Sequence, residues 1–276
     1  GTPRHFTHEQ SGQQQASGLL SHMGVGRSSF RSINGEECKG LHFLMPEDWD
    51  EALEVCAQAM NGTEDCEGDP MLNFVLGPKM SNPRDPRRLE FLRFLAALIL
   101  EEDWRWAWGS LALAVLAEDQ RLGAVCLARK SQGGTSSSCF PCLPWFCCRK
   151  WSRRFPAARS VMGEAAERMM GPEGLEMQLC ERRLRYANQP HFSIPLMMVN
   201  PDLQGQGLCS KAMRAVCRAA DEEGLPCFLE TGGARNVAIY QRFGFRIFEQ
   251  FMLPDAITQI FVLHRPSGAR TRGFCS

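Results

Sequence analysis

With 276 residues, 44% of them hydrophobic, the chain can bury a sizeable core, which excludes a wholly disordered or fibrous protein. Its 31 basic and 31 acidic side chains cancel, so neither nucleic acid nor stable insertion in an anionic membrane is expected. Thirteen cysteines, an odd number set mostly in apolar runs (Cys56, Cys126, Cys217, Cys227), read as reduced, buried thiols of a cytoplasmic protein rather than a secreted disulfide framework.

Residues 1–38 are rich in Gln, Ser, Gly and His without apolar periodicity, and such a segment cannot bury enough surface to offset its ordering entropy. A disordered leader is expected there. No signal peptide opens it, and Gly1 stands where an initiating Met is expected, so the true N-terminus is expected to lie upstream. Leu41 to Met45 reads as a strand, and Pro46-Glu47-Asp48 starts a helix over about 47–60, with Leu53, Cys56 and Met60 at helical spacing. A polar loop follows from Asn61 to Asp69. Arg87 to Glu101 is apolar around most of its surface and predicts a buried helix. The apolar stretch Leu89 to Ala117 carries Arg93, Glu101, Glu102, Asp103 and Arg105, too many charges for a bilayer span. Ser110 to Ala117 and Arg121 to Arg129 read as an antiparallel hairpin. Ser131 to Arg154 breaks the pattern, and Ala157 to Arg185 is helical with an interruption at Gly171-Pro172-Glu173-Gly174. Then come a strand over about 191–199, a glycine loop, a helix from Leu208 to Glu223, a strand from Cys227 to Thr231, a short helix from Arg235 to Phe243, and strands Phe245 to Leu253 and Thr258 to His264. The resulting partition is a leader (1–38), one α/β domain (39–266) holding a Cys-rich loop insert (131–156) and a helical insert (157–188), and a tail (267–276).

The most informative run is Gln204-Gly205-Gln206-Gly207-Leu208-Cys209, between a strand and a helix. Its glycines let the backbone turn sharply, so that successive N–H groups and the positive end of the following helix face one anion, such as a pyrophosphate. A Walker loop fails on spacing, because Gly205 and Gly207 are adjacent but one and the lysine is Lys211. A dinucleotide fingerprint fails as well, since Ser210 stands where its third glycine belongs.

The run resembles instead the Gln/Arg-x-x-Gly-x-Gly/Ala loop of the GCN5-related N-acetyltransferases, with Gln204 and Gly207 in place and Cys209 departing where the family has Gly or Ala. Val199-Asn200-Pro201 is similar to that family's lead-in to the loop. Phe228-Leu229-Glu230-Thr231 and Arg235-Asn236-Val237-Ala238-Ile239-Tyr240, continuing to Gly244-Phe245, resemble the branch that includes puromycin N-acetyltransferase. So do His191-Phe192 and, upstream, Asp69-Pro70, which is similar to an acceptor-side loop of that branch.

The resemblance implies a GNAT fold: α/β, with a central mixed, mostly antiparallel sheet of six to seven strands, its fourth and fifth strands splayed, flanked by helices. It implies acetyl-CoA as co-substrate and an amine as acceptor. Met197 and Val199 would pair with the pantetheine arm through their main chain, and Pro195 in that strand suggests a bulge. Gln204, Gly205, Gln206, Gly207, Leu208 and Cys209 would hold the pyrophosphate, and Asn236 would bond the pantetheine. Tyr240, at the family's tyrosine position, is the expected general acid, since a phenol of pKa about 10 can protonate a leaving thiolate. Glu230 is the expected base, through water, with His191 behind it; a structural ion pair to a neighbouring Arg is the competing role for Glu230. A catalytically silent, acyl-CoA-binding regulatory protein is the alternative to an enzyme, suggested by Cys209 and Pro195. No metal is expected: Cys139-x2-Cys142 has ligand spacing, but Cys147-Cys148 makes a poor second half, and a solvent-facing insert fits better. Antibiotic, polyamine, metabolite and protein amines all stay open as acceptors, as does the oligomeric state.

Overall fold

The structure, a computed structural model, describes residues 39–63, 68–105, 110–133, 153–156, 158–186 and 188–269. The leader and the Cys139 to Cys148 cluster lie outside the described residues. The strands are β1 (Leu41–Phe43), β2 (Ser110–Leu116), β3 (Leu122–Ser131), β4 (His191–Val199), β5 (Cys227–Gly232), β6 (Arg246–Met252) and β7 (Gln259–Arg265). The helices are α1 (Trp49–Asn61), α2 (Pro70–Leu76), α3 (Pro86–Arg105), α4 (Ala158–Met170), α5 (Leu175–Tyr186), α6 (Leu208–Glu222) and α7 (Ala234–Gln241).

All seven strands join one open sheet in the order β1-β2-β3-β4-β5-β7-β6. Each neighbouring pair is antiparallel except β4 with β5. Both faces of the sheet are covered, which is why central β3 is apolar almost without alternation. One face packs Val125, Leu127 and Leu196 under Leu53, Leu92 and Leu95 of α1 and α3, with Val161 of α4. The opposite face packs Cys126, Phe192 and Ile194 under Met213, Val216 and Cys217 of α6, whose apolar stripe recurs every three to four residues.

Three features of this frame prepare the site. First, β4 and β5 pair only at Phe192 with Cys227 and Ser193 with Phe228, although β4 runs on to Val199 and β5 pairs with β7 along its whole length to Gly232. The two strands therefore diverge, as the resemblance implied. Second, Leu127 opposes Leu196 while Arg129 opposes Ser193, so Ile194 and Pro195 together face Ala128. That is the bulge foreseen from Pro195, which is exposed and has no N–H to lose from the ladder.

Third, residues 70–76, between the loop expected over 61–69 and the helix expected from Arg87, form helix α2. Asp69 caps it, its Oδ1 accepting from the Leu72 N–H at 3.1 Å, and Pro70 occupies the first turn, where its missing N–H costs nothing. The buried guanidinium of Arg88 fastens this region, donating to Asn61 Oδ1 (2.7 Å), Met80 O (2.7 Å) and Asn73 Oδ1 (2.6 Å). At the far end of α2, Arg168 of α4 donates to the Leu76 carbonyl at 3.1 Å.

The expectation of reduced thiols holds for Cys56, Cys126, Cys209, Cys217 and Cys227. It fails at Cys180, which is disulfide-bonded. Among the described residues, no helix is long and apolar enough to cross a membrane.

Candidate active site in the β4 and β5 splay

Beyond Ser193 the β5-facing edge of β4 has no ladder partner among the described residues, which leaves the main chain around Met197 and Val199 open to pair with an extended ligand. Their side chains are half-buried and pack toward the α6 side of the core, so the ligand-facing group at these positions is backbone.

The glycine loop follows directly. Pro201–Leu203 forms a 3-10 turn, and Gly207 is the N-cap of α6 in left-handed geometry, φ +76° and ψ +8°. Gly205 is likewise at φ +84°. A Cβ built on either glycine meets nothing within 4 Å, so both face open space. The first-turn N–H groups of α6 have no intrahelical acceptor, and the turn carries no acidic side chain. Leu208 pins this end of the helix down: it is buried, and its Cδ1 lies where a side chain on Gly123 of β3 would sit, 2.5 Å from an added Cβ. Gln204 is bound across the loop, its Oε1 accepting from Arg235 Nη2 at 3.4 Å. Gln206 is exposed and Cys209 half-buried. Open glycine faces, free N–H groups, a helix N-terminus and the Arg235 cation suit a pyrophosphate.

On the β5 side, Asn236 donates from Nδ2 to Gly232 O (3.1 Å) and Thr231 Oγ1 (3.2 Å), which ties the start of α7 to the end of β5. Its donor group is thus engaged, and Oδ1 is the atom left to meet a ligand amide. Tyr240, one turn on, rests against Phe245 with ring centroids 6.0 Å apart. Among the described residues no hydrogen bond reaches its hydroxyl. Burial, with Cys209, Cys126 and Asp69 nearby, holds that phenol well above its ordinary pKa, so it stays protonated through the neutral range. The thiols beside it are also neutral: burial raises Cys209 to about 11 and Cys126 higher still.

Glu230 has a partner of its own. Arg183 of α5 donates to its Oε1 at 2.7 Å and Oε2 at 3.2 Å, while the same guanidinium reaches Glu176 at 2.6 Å. His191 is buried, its Nδ1 2.7 Å from the Gln189 carbonyl and its ring edge-on to Phe228. Burial lowers its pKa, against the Gln189 bond and the Glu230 charge, so it is neutral. The splay thus brings together the main chain of Met197 and Val199, the loop 204–209, Asn236 and Tyr240. Glu230 lies nearby but bound.

Sequence reading missed two groups. Arg183 gave no local signal, since only tertiary packing aims α5 at β5. Asp69 was singled out by resemblance as part of an acceptor-side loop, but neither its capping of α2 nor its nearness to Tyr240 was read.

Residues 178–245, the segment holding β4, the loop, β5 and α7, match the sequence model of the Acetyltransferase (GNAT) family. Solved structures share the fold over most of the chain. The Corynebacterium glutamicum protein described as histone acetyltransferase HPA2 and related acetyltransferase aligns with TM-score 0.53 at 17% identity, over 84% of this chain and 97% of its own. Arylalkylamine N-acetyltransferase 2 from Aedes aegypti aligns with TM-score 0.51 at 14% identity, over 82% of this chain and 97% of its own. At such identities these two establish the fold. The family match thus falls on the residues that build the splay and its loop, and residues 178–245 carry the sequence pattern of the GNAT acetyltransferases, a family that uses acetyl-CoA as co-substrate.

Proposed function

We propose that the chain transfers the acetyl group of acetyl-CoA to a primary amine, of a small molecule or a peptide, by direct attack in a ternary complex. The observation that carries this is the protonated Tyr240 phenol, free of hydrogen bonds among the described residues, beside an unpaired strand edge that ends in an open anion loop. Acetyl-CoA, when bound, supplies a thioester carbonyl open to attack. The backbone of Met197 and Val199 would hold the pantetheine, the N–H groups from Gly205 to Cys209 the pyrophosphate, and Asn236 Oδ1 a pantetheine amide. Tyr240 would give its proton to the departing thiolate. Both oxygens of Glu230 already accept from Arg183, so an amine proton has to compete with that guanidinium. Glu230 accordingly serves as the anchor of α5 rather than as the base. The likeness to the puromycin N-acetyltransferase branch rests on the 228–245 motifs and favours an aminated small molecule.

The test is thiol release from acetyl-CoA against a panel of primary amines. Tyr240→Phe is expected to lower kcat by about 10²-fold or more while the affinity for CoA holds, the usual size of a general-acid contribution. Tight CoA binding with no amine ever acetylated by the wild type would instead identify the silent acyl-CoA-binding protein.

A further inference from the structure

Cys227 and Leu229 of β5 lie in the α6-side core and Phe228 on the opposite face, so strand alternation puts Thr231 on the α6 side as well. Thr231 is only 4% exposed, and a hydroxyl at that depth needs partners. It has them in both senses: Oγ1 donates to the Gly232 carbonyl at 3.3 Å and accepts from Asn236 Nδ2 at 3.2 Å. Nδ2 also donates to the same carbonyl, at 3.1 Å. Three groups thus close one ring of hydrogen bonds where β5 hands over to α7.

The ring decides which way the Asn236 amide is turned. Reversed, Oδ1 would stand against the Gly232 carbonyl, acceptor facing acceptor, and against a hydroxyl whose hydrogen is already given to that carbonyl. As built, the nitrogen is engaged twice, and Oδ1 accepts from no group among the described residues. Nor does Asn236 act as a cap. It is the third residue of α7 behind the N-cap Gly233, where a capping box has a side chain that accepts from the N-cap N–H, but here the side chain donates and the cap has no side-chain bond. The carbonyl at the centre of the ring is itself held from the α2 side: the Pro70 ring lies 2.9 Å from where a Cβ on Gly232 would stand.

We infer that Thr231 is a positioning residue for acetyl-CoA: its hydroxyl holds the Asn236 amide with Oδ1 toward the splay, where a pantetheine N–H donates to it, and touches no ligand itself. This rests on the placement of the coenzyme proposed above. Of the two acceptors that orient the amide, Gly232 contributes main chain and only Thr231 contributes a side chain, so Thr231 is the one that substitution can remove. Without it the amide keeps a single bond and turns more freely, and the ligand has to pay the ordering cost on binding.

Calorimetric titration of the full chain with CoA tests this without any acceptor amine. Thr231→Val, which keeps the branched shape and loses the hydroxyl, is expected to weaken CoA binding about 3- to 10-fold, the range of one net hydrogen bond. Thr231→Ser, which keeps the hydroxyl, should bind close to the wild type. Asn236→Ala should weaken CoA at least as much as Thr231→Val, and adding Thr231→Val to it should change nothing further, because the hydroxyl then has no amide to aim. A Thr231 that only packs would lower CoA affinity equally in both backgrounds, together with the melting temperature, and that result would overturn the inference. So would a Thr231→Val protein that binds CoA like the wild type, or a Thr231→Ser protein as weak as Thr231→Val. A wild type that binds no CoA would overturn the coenzyme placement and this inference together, whereas one that binds CoA but acetylates no amine would remove acetyl transfer alone.

Discussion

At the scale of single residues, burial holds the site's weak acids in their neutral forms. Tyr240 is kept protonated and Cys209 is kept a thiol, so the residue that departs from the family pattern is chemically quiet and small enough to leave the loop open. Gly207 is required for conformation rather than for space: its φ is +76°, yet a Cβ there touches nothing. Gly207→Ala is therefore expected to cost about 1–2 kcal/mol from the left-handed backbone alone. It should also weaken CoA binding, by placing a methyl on the open face of the loop. Denaturant titration and CoA calorimetry on the same variant separate the two effects. Legibility at this scale was uneven. Tyr240, Asn236 and the loop lie within one continuous stretch whose spacing carries the pattern. The partner of Glu230 and the neighbour of Tyr240 come from residues 47 and 171 positions away, which no local pattern encodes.

Among elements, α1 and α6 were legible from helical spacing, β3 from an apolar run bounded by turn residues, and the Pro195 bulge because proline cannot serve a central ladder. Helix α2 was missed because its cap and first-turn proline were read as loop residues of a related family rather than as a helix start. The docking of α5 was beyond reach for a different reason: beside the buried Leu175 and Leu179, much of it is ionic. Arg182 lies 3.6 Å over the Phe251 ring and 3.4 Å from Glu249, Arg185 is 3.7 Å from the same carboxylate, and Arg183 bridges Glu176 and Glu230. Charged residues along a helix ordinarily read as a solvated face. Arg183→Ala strands two largely buried carboxylates and is expected to cost about 3–5 kcal/mol. Glu230→Gln, which leaves Arg183 with Glu176, should loosen α5 yet change kcat for a small amine by only a few fold. A drop of about 10²-fold or more in that variant, the size of a lost general base, would return Glu230 to the role of base.

For the whole molecule, the fold serves one gap in its own sheet. The hairpin, α1, α3 and α4 build a rigid wall up to β4, while β5, β7 and β6 form a second wall that pairs with the first at two positions only. The far wall is locked to α6 by Asp221, whose oxygens each accept from Arg265 at 2.7 Å, with Gly268 N–H at 2.7 Å as well. Burial works against the Asp221 charge, but the Arg265 bonds and the Gly268 N–H outweigh it, and its pKa is lowered. A carboxylate with a depressed folded pKa contributes stability above its unfolded value and loses it as pH falls through the folded one. Acid should therefore destabilise the wild type more steeply than Asp221→Asn, as denaturant midpoints taken across the acidic range would show.

The splay itself is the feature on which everything else depends, and a crystal structure of the chain with CoA probes it most directly. The expected result is a pantetheine arm hydrogen-bonded to the main chain at Met197 and Val199, the pyrophosphate on the N–H groups of 205–209, and the thiol within hydrogen-bond reach of the Tyr240 hydroxyl. A CoA bound elsewhere, or a β4 whose free edge closes onto β5 with the ligand excluded, would contradict it.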